Sequence, residues 1–296
     1  MSNLNLFTSV TNYFSGFQRE FEESDYIVIG VPFDATSTYR SGARFAPSAV
    51  REASLNIETY SFRSGIDVED LKIHDVGDLH VSGDLNETLK RLELVCEDIL
   101  KHGKTPVLIG GEHTITLGAV RSLKSDFTLL SFDAHLDLRD SYMNMKICHA
   151  TFMRRINESL KPRKIIEVGV RAVCKEELRY VFEAGNITYI TPQQIREMGV
   201  KNISKKINDL LQDCKQIYLT IDMDVLDPAY APAVQNPEPD GLSIHMLLDM
   251  LSNICDARIV AFDVVEVTPH YDNGITAIAA AKITFEVLSY IHKSRN

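Results

Sequence analysis

The sequence has no cysteine pair in C-x-x-C spacing. Its five cysteines, at positions 96, 148, 174, 214 and 255, are scattered and odd in number. That argues against a disulfide framework or a thiolate zinc site and fits a reducing cytoplasm. A basic excess is missing too: 31 Lys and Arg stand against 41 Asp and Glu, a formal net charge of −10. No nucleic-acid footprint is therefore expected, whereas a cationic small substrate suits that charge. No apolar run approaches membrane-spanning length. Met1 to Gly16 is polar and lacks the apolar segment of a secretory signal. There is no short-period repeat, low-complexity tract or linker-like shift in composition, so residues 1–296 are expected to form a single domain.

What is present is a steady alternation of short apolar runs with helical stripes. Strands are expected at 26–31, 72–76, 105–109, 127–130, 164–170, 188–190, 216–221 and 257–267. Helices are expected at 47–56, 86–101, 114–123, 151–160, 175–184, 204–211, 244–255 and 275–293. Most of the strands are continuously apolar, which marks an α/β fold with a mainly parallel sheet covered on both faces.

The stretch Ser131 to Asp140, SFDAHLDLRD, carries the first chemical signal. Asp133, His135 and Asp137 occupy alternate positions, so a backbone that stays extended would send all three side chains the same way. Two carboxylates and an imidazole at one point suit a divalent metal; the plainer alternative is a polar loop with an aspartate capping a helix. Three further strands end in similar groups. Val107-Leu108-Ile109 runs toward His113, the 216–221 strand toward Asp222 and Asp224, and the last strand toward Glu266. In a parallel sheet the ligand crevice lies beyond the carboxyl ends of the strands, so these groups share one rim. Four aspartates and two histidines without thiolate favour an oxygen-rich site, manganese(II) rather than structural zinc. Six ligands are too many for one ion with an open position and suit a pair of ions.

These residues sit in longer stretches that resemble the ureohydrolases, the arginase and agmatinase group. The stretches are GVPFDATSTYRSGARFAPSAVR, GGEHTITLG, SFDAHLDLRD, CHATFMRRI, TIDMDVLDPAYAP, PEPDGLS and DVVEVTPHYDNGITAIAAAKI, and they run from the first strand to the last helix. The resemblance implies a three-layer αβα fold and two Mn(II) ions. It implies His113 and Asp137 on one ion, His135 and Asp224 on the other, and Asp133 and Asp222 bridging. It makes His149 a proton shuttle and Glu266 the holder of a guanidinium. It further implies a homo-oligomer, a trimer or hexamer, and hydrolysis of a small cationic guanidino substrate through a metal-bridging hydroxide. Agmatine, split into putrescine and urea, is the expected substrate. The tail Val264 to Ala281 is more similar to agmatinases, and Leu138-Arg139-Asp140-Ser141-Tyr142 does not match the arginase loop that grips an amino-acid end. No dedicated carboxylate clamp is thus expected. The alternatives are arginase, other guanidino or formimidoyl hydrolases, a one-zinc deacetylase on the same fold, and a silent binding protein.

Three departures from the family pattern stand out. Glu112 replaces the aspartate of Gly-Gly-Asp-His, Ala150 replaces a glycine after the shuttle histidine, and Ala233-Val234-Gln235-Asn236 replaces a Gly-Thr-Gly-Thr-like loop. None is expected to touch a ligand. Arg40, Arg44 and Arg51 crowd the loop after the first strand and are expected to pair with carboxylates. Asp263 is expected to serve as a structural hydrogen-bonding group.

Overall fold

The computed structural model describes residues 3–9, 12–123 and 126–296. Among them eleven strands form: β1 (Thr8–Ser9), β2 (Tyr26–Val31), β3 (Tyr60–Ser61), β4 (Ile66–Asp67), β5 (Ile73–Leu79), β6 (Thr105–Gly110), β7 (Phe127–Phe132), β8 (Lys164–Val168), β9 (Ile187–Ile190), β10 (Gln216–Asp222) and β11 (Ile259–Val265). β3 and β4 make a small separate hairpin. The other nine form one sheet in the order β1-β5-β2-β6-β11-β10-β7-β8-β9. Only β1 runs antiparallel, at the edge beside β5. The rest is parallel, and helices cover both faces in a three-layer αβα arrangement.

The central strands are apolar on both sides because both sides are covered. Along β6, Val107 and Ile109 join the core under the helices Ala46–Ser54, Ile244–Ile254 and Ile275–Arg295. Leu108 points the other way, into the core under Leu85–Lys101, Ile115–Val120 and Phe152–Leu160. Strand period two thus divides one apolar run between two cores.

The four strands expected to carry chemistry are the central four, β6, β11, β10 and β7. Ile109, Val264, Ile221 and Phe132 form one row across them. The residues that follow emerge together at the carboxyl rim, and this register gathers groups more than 150 positions apart in sequence.

Several expectations are corrected. The backbone is not extended through Asp137. β7 ends at Phe132, His135 makes an isolated bridge to Ala172, and Asp137 has φ 52°. The helix Pro192–Met198, with a Thr191 and Gln194 capping box, is an addition, and the next helix starts at Val200 rather than 204. The expectation that nothing approaches a membrane-spanning run also fails. Ile275–Arg295 is long and apolar enough to cross a bilayer, but 78% of its apolar window is buried against the fold, so it serves as a core helix here. Of the three loop arginines, Arg44 pairs with Asp34 at 2.5 Å and Arg51 with Asp75 and Asp78. Arg40 instead donates to the Pro232 carbonyl at 3.0 Å and lies over the Tyr39 and Tyr271 rings.

Candidate metal centre and cleft

His113 is the hub of the rim. Its Nδ1 lies 3.0 Å from Asp133 Oδ2, 3.1 Å from Asp222 Oδ2 and 3.8 Å from Asp137 Oδ2. His135 Nδ1 lies 3.0 Å from Asp224 Oδ2 and 3.5 Å from Asp133 Oδ1. Two groups result, His113 with Asp133 and Asp137, and Asp133 with His135 and Asp224. Asp133 belongs to both, offering one oxygen to each. Asp222 faces His113, and its other oxygen accepts the Asp224 N–H at 2.8 Å. Extended backbone does not achieve this convergence. The Asp133 oxygens divide between neighbours, and the left-handed turn at Asp137 swings its carboxylate back toward His113.

The back of the site fixes the His113 tautomer. Thr220 Oγ1 donates to Asp263 Oδ1 at 2.5 Å, so it accepts from His113 Nε2–H at 2.8 Å. Asp263 also accepts the hydroxyls of Thr116 and Tyr218, each at 2.7 Å. The expected structural role of Asp263 is thus visible in three donors. His113 Nδ1 is left with a lone pair facing carboxylates that are themselves acceptors. Both it and Asp133 Oδ2 are buried without a hydrogen-bond partner. Burial disfavours a charged His113 ring, yet the Asp133 and Asp222 carboxylates facing Nδ1 outweigh it and push its pKa well up. Burial, with Asp224 and Asp133 beside it, drives the Asp222 carboxyl up, and burial with Asp133 does the same for Asp137. The protein alone would have to take up protons to hold this arrangement. Divalent cations answer the same demand, and the donor set fits them.

A cleft of about 450 Å³ opens above the cluster, lined by His135, Asp137, Asp222, Asp224, His149 and Glu266 among others. Glu266 sits at φ 70°. Its N–H donates to the Gly111 carbonyl at 2.9 Å and its Oε1 accepts the His113 N–H at 2.6 Å. Oε2 is buried and has no partner. Burial first, then the nearby Glu112 carboxylate, pushes its pKa up to about 8. Gly111 is required here because a Cβ would collide with the Phe33 carbonyl, so glycine lets the 32–38 loop close over the rim.

His149 is buried at the cleft wall. Its Nδ1 lies 2.9 Å from the Thr36 carbonyl and therefore carries the proton, while Nε2 lies 3.2 Å from Thr38 Oγ1. Burial, then repulsion from His135 and His113, lowers its pKa to about 4. Six of the eight expected residues thus line one cleft, and His113 and Asp133 lie buried in the cluster beside it. Sequence reasoning missed Thr36, Thr38, Glu177, Glu238 and Arg139 around them. Glu177 caps Cys174 and accepts the Leu138 N–H at 3.1 Å, bracing the loop that carries Asp137. Of the three departures, Ala150 and Asn236 line the cleft, Gln235 bonds Ser37, and Glu112 contacts none of the six clustered side chains.

A model of the arginase family matches residues 24–289. The chain is 34% identical over 275 residues to an agmatinase of Bacillus anthracis, covering 90% of this chain and 92% of that protein. It is 35% identical over 268 residues to an N(1)-aminopropylagmatine ureohydrolase of Thermococcus kodakarensis, covering 89% and 90%. The crystal structure of agmatine ureohydrolase of Thermoplasma volcanium superposes with a TM-score of 0.89 at 35% identity, covering 98% and 97%. The chain belongs to the arginase family, whose members depend on a binuclear metal centre. It is a hydrolase of linear amidine C–N bonds, agmatinase-like in its resemblance.

Proposed function

We propose that this enzyme cleaves the guanidinium of agmatine, releasing urea and putrescine. The observation that carries this reading is Glu266 Oε2, a buried carboxylate oxygen without a partner, in a residue that lines the cleft beside the His and Asp cluster. A planar guanidinium supplies the donors this carboxylate lacks, and paired hydrogen bonds would orient it. Bringing that cation in also offsets the burial and the Glu112 repulsion that favour a proton on Glu266.

The donor set fits two manganese(II) ions, which His113, Asp137, His135 and Asp224 would hold together with Asp133 and Asp222. Such ions supply a nucleophile at neutral pH by lowering the pKa of bound water. The remaining work belongs to the chain. Glu266 holds the electrophile with its buried, unpartnered Oε2. His149 enters the cycle neutral, with Nδ1–H committed to Thr36. It must accept a proton at Nε2 before it can give one to the departing amine, which makes it a shuttle rather than a standing acid.

The choice of agmatine rests on a further carboxylate of the cleft lining. Glu238 is half-exposed, lies 4.0 Å from His135 Nε2, and is a partner for the substrate's ammonium. A specific observation favours a second reading, a guanidino acid such as guanidinobutyrate. Arg139 also lines the cleft, over the Tyr142 ring at 5.1 Å, and among the described residues its side chain has no hydrogen bond or ion pair. The cleft therefore contains a cation able to receive a carboxylate. Arg171, also in the lining, is committed to backbone carbonyls including those of Asp224 and Glu238. Urea release by manganese-loaded enzyme from agmatine, arginine, guanidinobutyrate and aminopropylagmatine separates the readings. The highest kcat/KM for agmatine is expected. A preference for guanidinobutyrate transfers the distal contact to Arg139, and a preference for arginine overturns the assignment.

A further inference from the structure

Glu112 directs its carboxylate into the loop after β2. Oε2 accepts the backbone N–H of Thr36 at 2.8 Å. Oε1 accepts the hydroxyl of Thr36 and, at 2.6 Å, that of Thr114. Thr36 in turn holds His149 at two points. Its carbonyl accepts Nδ1–H at 2.9 Å, and its Oγ1 accepts the His149 backbone N–H at 3.2 Å. Glu112, Thr36 and His149 are all buried. Thr36 lies outside any helix or strand, so no ladder fixes it from the side.

We infer that Glu112 is a positioning residue for proton transfer by His149, acting through Thr36. The inference rests on the shuttle role proposed for His149 and adds the residue that sets its geometry. The direction of the hydrogen bonds carries the point. A hydroxyl has one proton to give, and Thr36 gives it to Glu112, which leaves an oxygen lone pair for the His149 N–H. The second carboxylate oxygen fixes the Thr36 peptide, and with it the carbonyl that receives Nδ1–H. That carbonyl can only accept, so a neutral ring keeps its proton on Nδ1 and presents the Nε2 lone pair to the cleft.

A glutamine at 112 is nearly the same size but wrong in kind. Three donors converge on the two oxygens of Glu112, and an amide offers one oxygen and one N–H group. Glu112→Gln must therefore turn a donor toward a donor and shift Thr36. Displacement of a reacting group by about 1 Å costs up to about 10²-fold in rate. Glu112→Asp keeps both acceptors and should retain more activity than Glu112→Gln.

The test is a double-mutant cycle with two readouts besides rate. Glu112→Gln is expected to lower kcat, leave KM and metal content unchanged, and cause no further loss in a His149→Asn background. In zinc-loaded, diamagnetic protein with ¹⁵N-labelled histidine, the signal removed by His149→Asn should report an Nδ1–H tautomer. Glu112→Gln should weaken that signature and Glu112→Asp restore it. Losses that multiply in the double variant, a fall in metal content, or an unchanged tautomer overturn the inference. If His149→Asn alone leaves kcat intact, the shuttle role fails, and the tautomer readout still decides the positioning role. Should Glu112→Gln not fold, Thr36→Val against Thr36→Ser carries the same comparison, with serine expected to rescue.

Discussion

Glu266 Oε1 accepts the backbone N–H of His113 at 2.6 Å, so the residue proposed to hold the substrate and the hub of the His and Asp cluster are tied together at the ends of two neighbouring strands. Glu266 adopts φ 70° and Asp137 φ 52°, conformations that a residue with a Cβ rarely takes. Such backbone persists only where surrounding contacts over-determine it. At Glu266 those contacts are the Gly111 carbonyl on one side and His113 on the other.

Glu266→Gln should keep the fold and both metals while lowering turnover and raising KM, because the amide loses the charge that pairs with a guanidinium. His149→Asn should lower kcat by about 10²-fold or more, the scale of general acid–base catalysis, again with metals retained. Steady-state kinetics beside elemental analysis checks both. Loss of metal from either variant would mean that the residue is a ligand and has been assigned the wrong role.

Thr220→Val removes the acceptor for His113 Nε2–H and frees the ring to change tautomer. Partners behind a metal ligand are worth about 10–100-fold in affinity. A weakening on that scale is expected in competition against a chelator. Unchanged affinity would show that Thr220 and Asp263 do not set the ring.

Arg51 tests the fold away from the chemistry. Its guanidinium is fully buried between Asp75, at 2.8 Å, and Asp78, at 2.5 Å, and donates also to the Gly77 carbonyl. Arg51→Met strands the buried Asp75, a loss of about 3–5 kcal/mol. Urea denaturation of metal-loaded protein measures it, and a loss under 1 kcal/mol would contradict the buried pairing.

Much of this was legible in the sequence because strand-end chemistry follows from apolar runs. β6, β7, β10 and β11 announce themselves as such runs, and each is followed within a few residues by an acid or a histidine. Where the backbone leaves regular geometry, legibility stops. Alternation places Asp133, His135 and Asp137 on one side of a strand, but the strand ends at Phe132 and the site is completed by a turn at positive φ. Contacts made across loops were equally hidden. Thr36 reaches His149 over 113 positions, and nothing in the composition of the 32–38 loop marks that hydroxyl. Arg139 was read by its motif neighbours, whereas its lack of a partner is visible only in three dimensions.

Glu286 gives a pH-dependent expectation. Burial alone would raise its pKa, but Tyr290, Ser61 and Lys282 beside it outweigh burial and hold it below the usual glutamate value. A depressed folded-state pKa contributes stability above the unfolded value, about 4.3, and that stability is lost as pH falls through the folded value. The stability gap between the wild-type protein and Glu286→Gln should therefore be full at pH 7 and shrink below about pH 4. Denaturant titrations of both proteins at each pH measure it, and a gap that widens in acid would reverse the sign.

The central claim is a pair of metal ions shared through Asp133 and Asp222, and its most direct test is elemental analysis of protein loaded with manganese and then freed of excess metal. Two ions per chain are expected in the wild-type protein. Neither should be retained in Asp133→Ala or Asp222→Ala, and His113→Ala or Asp224→Ala should weaken mainly one. A single ion per wild-type chain, or one fully occupied ion remaining in Asp222→Ala, would contradict the account.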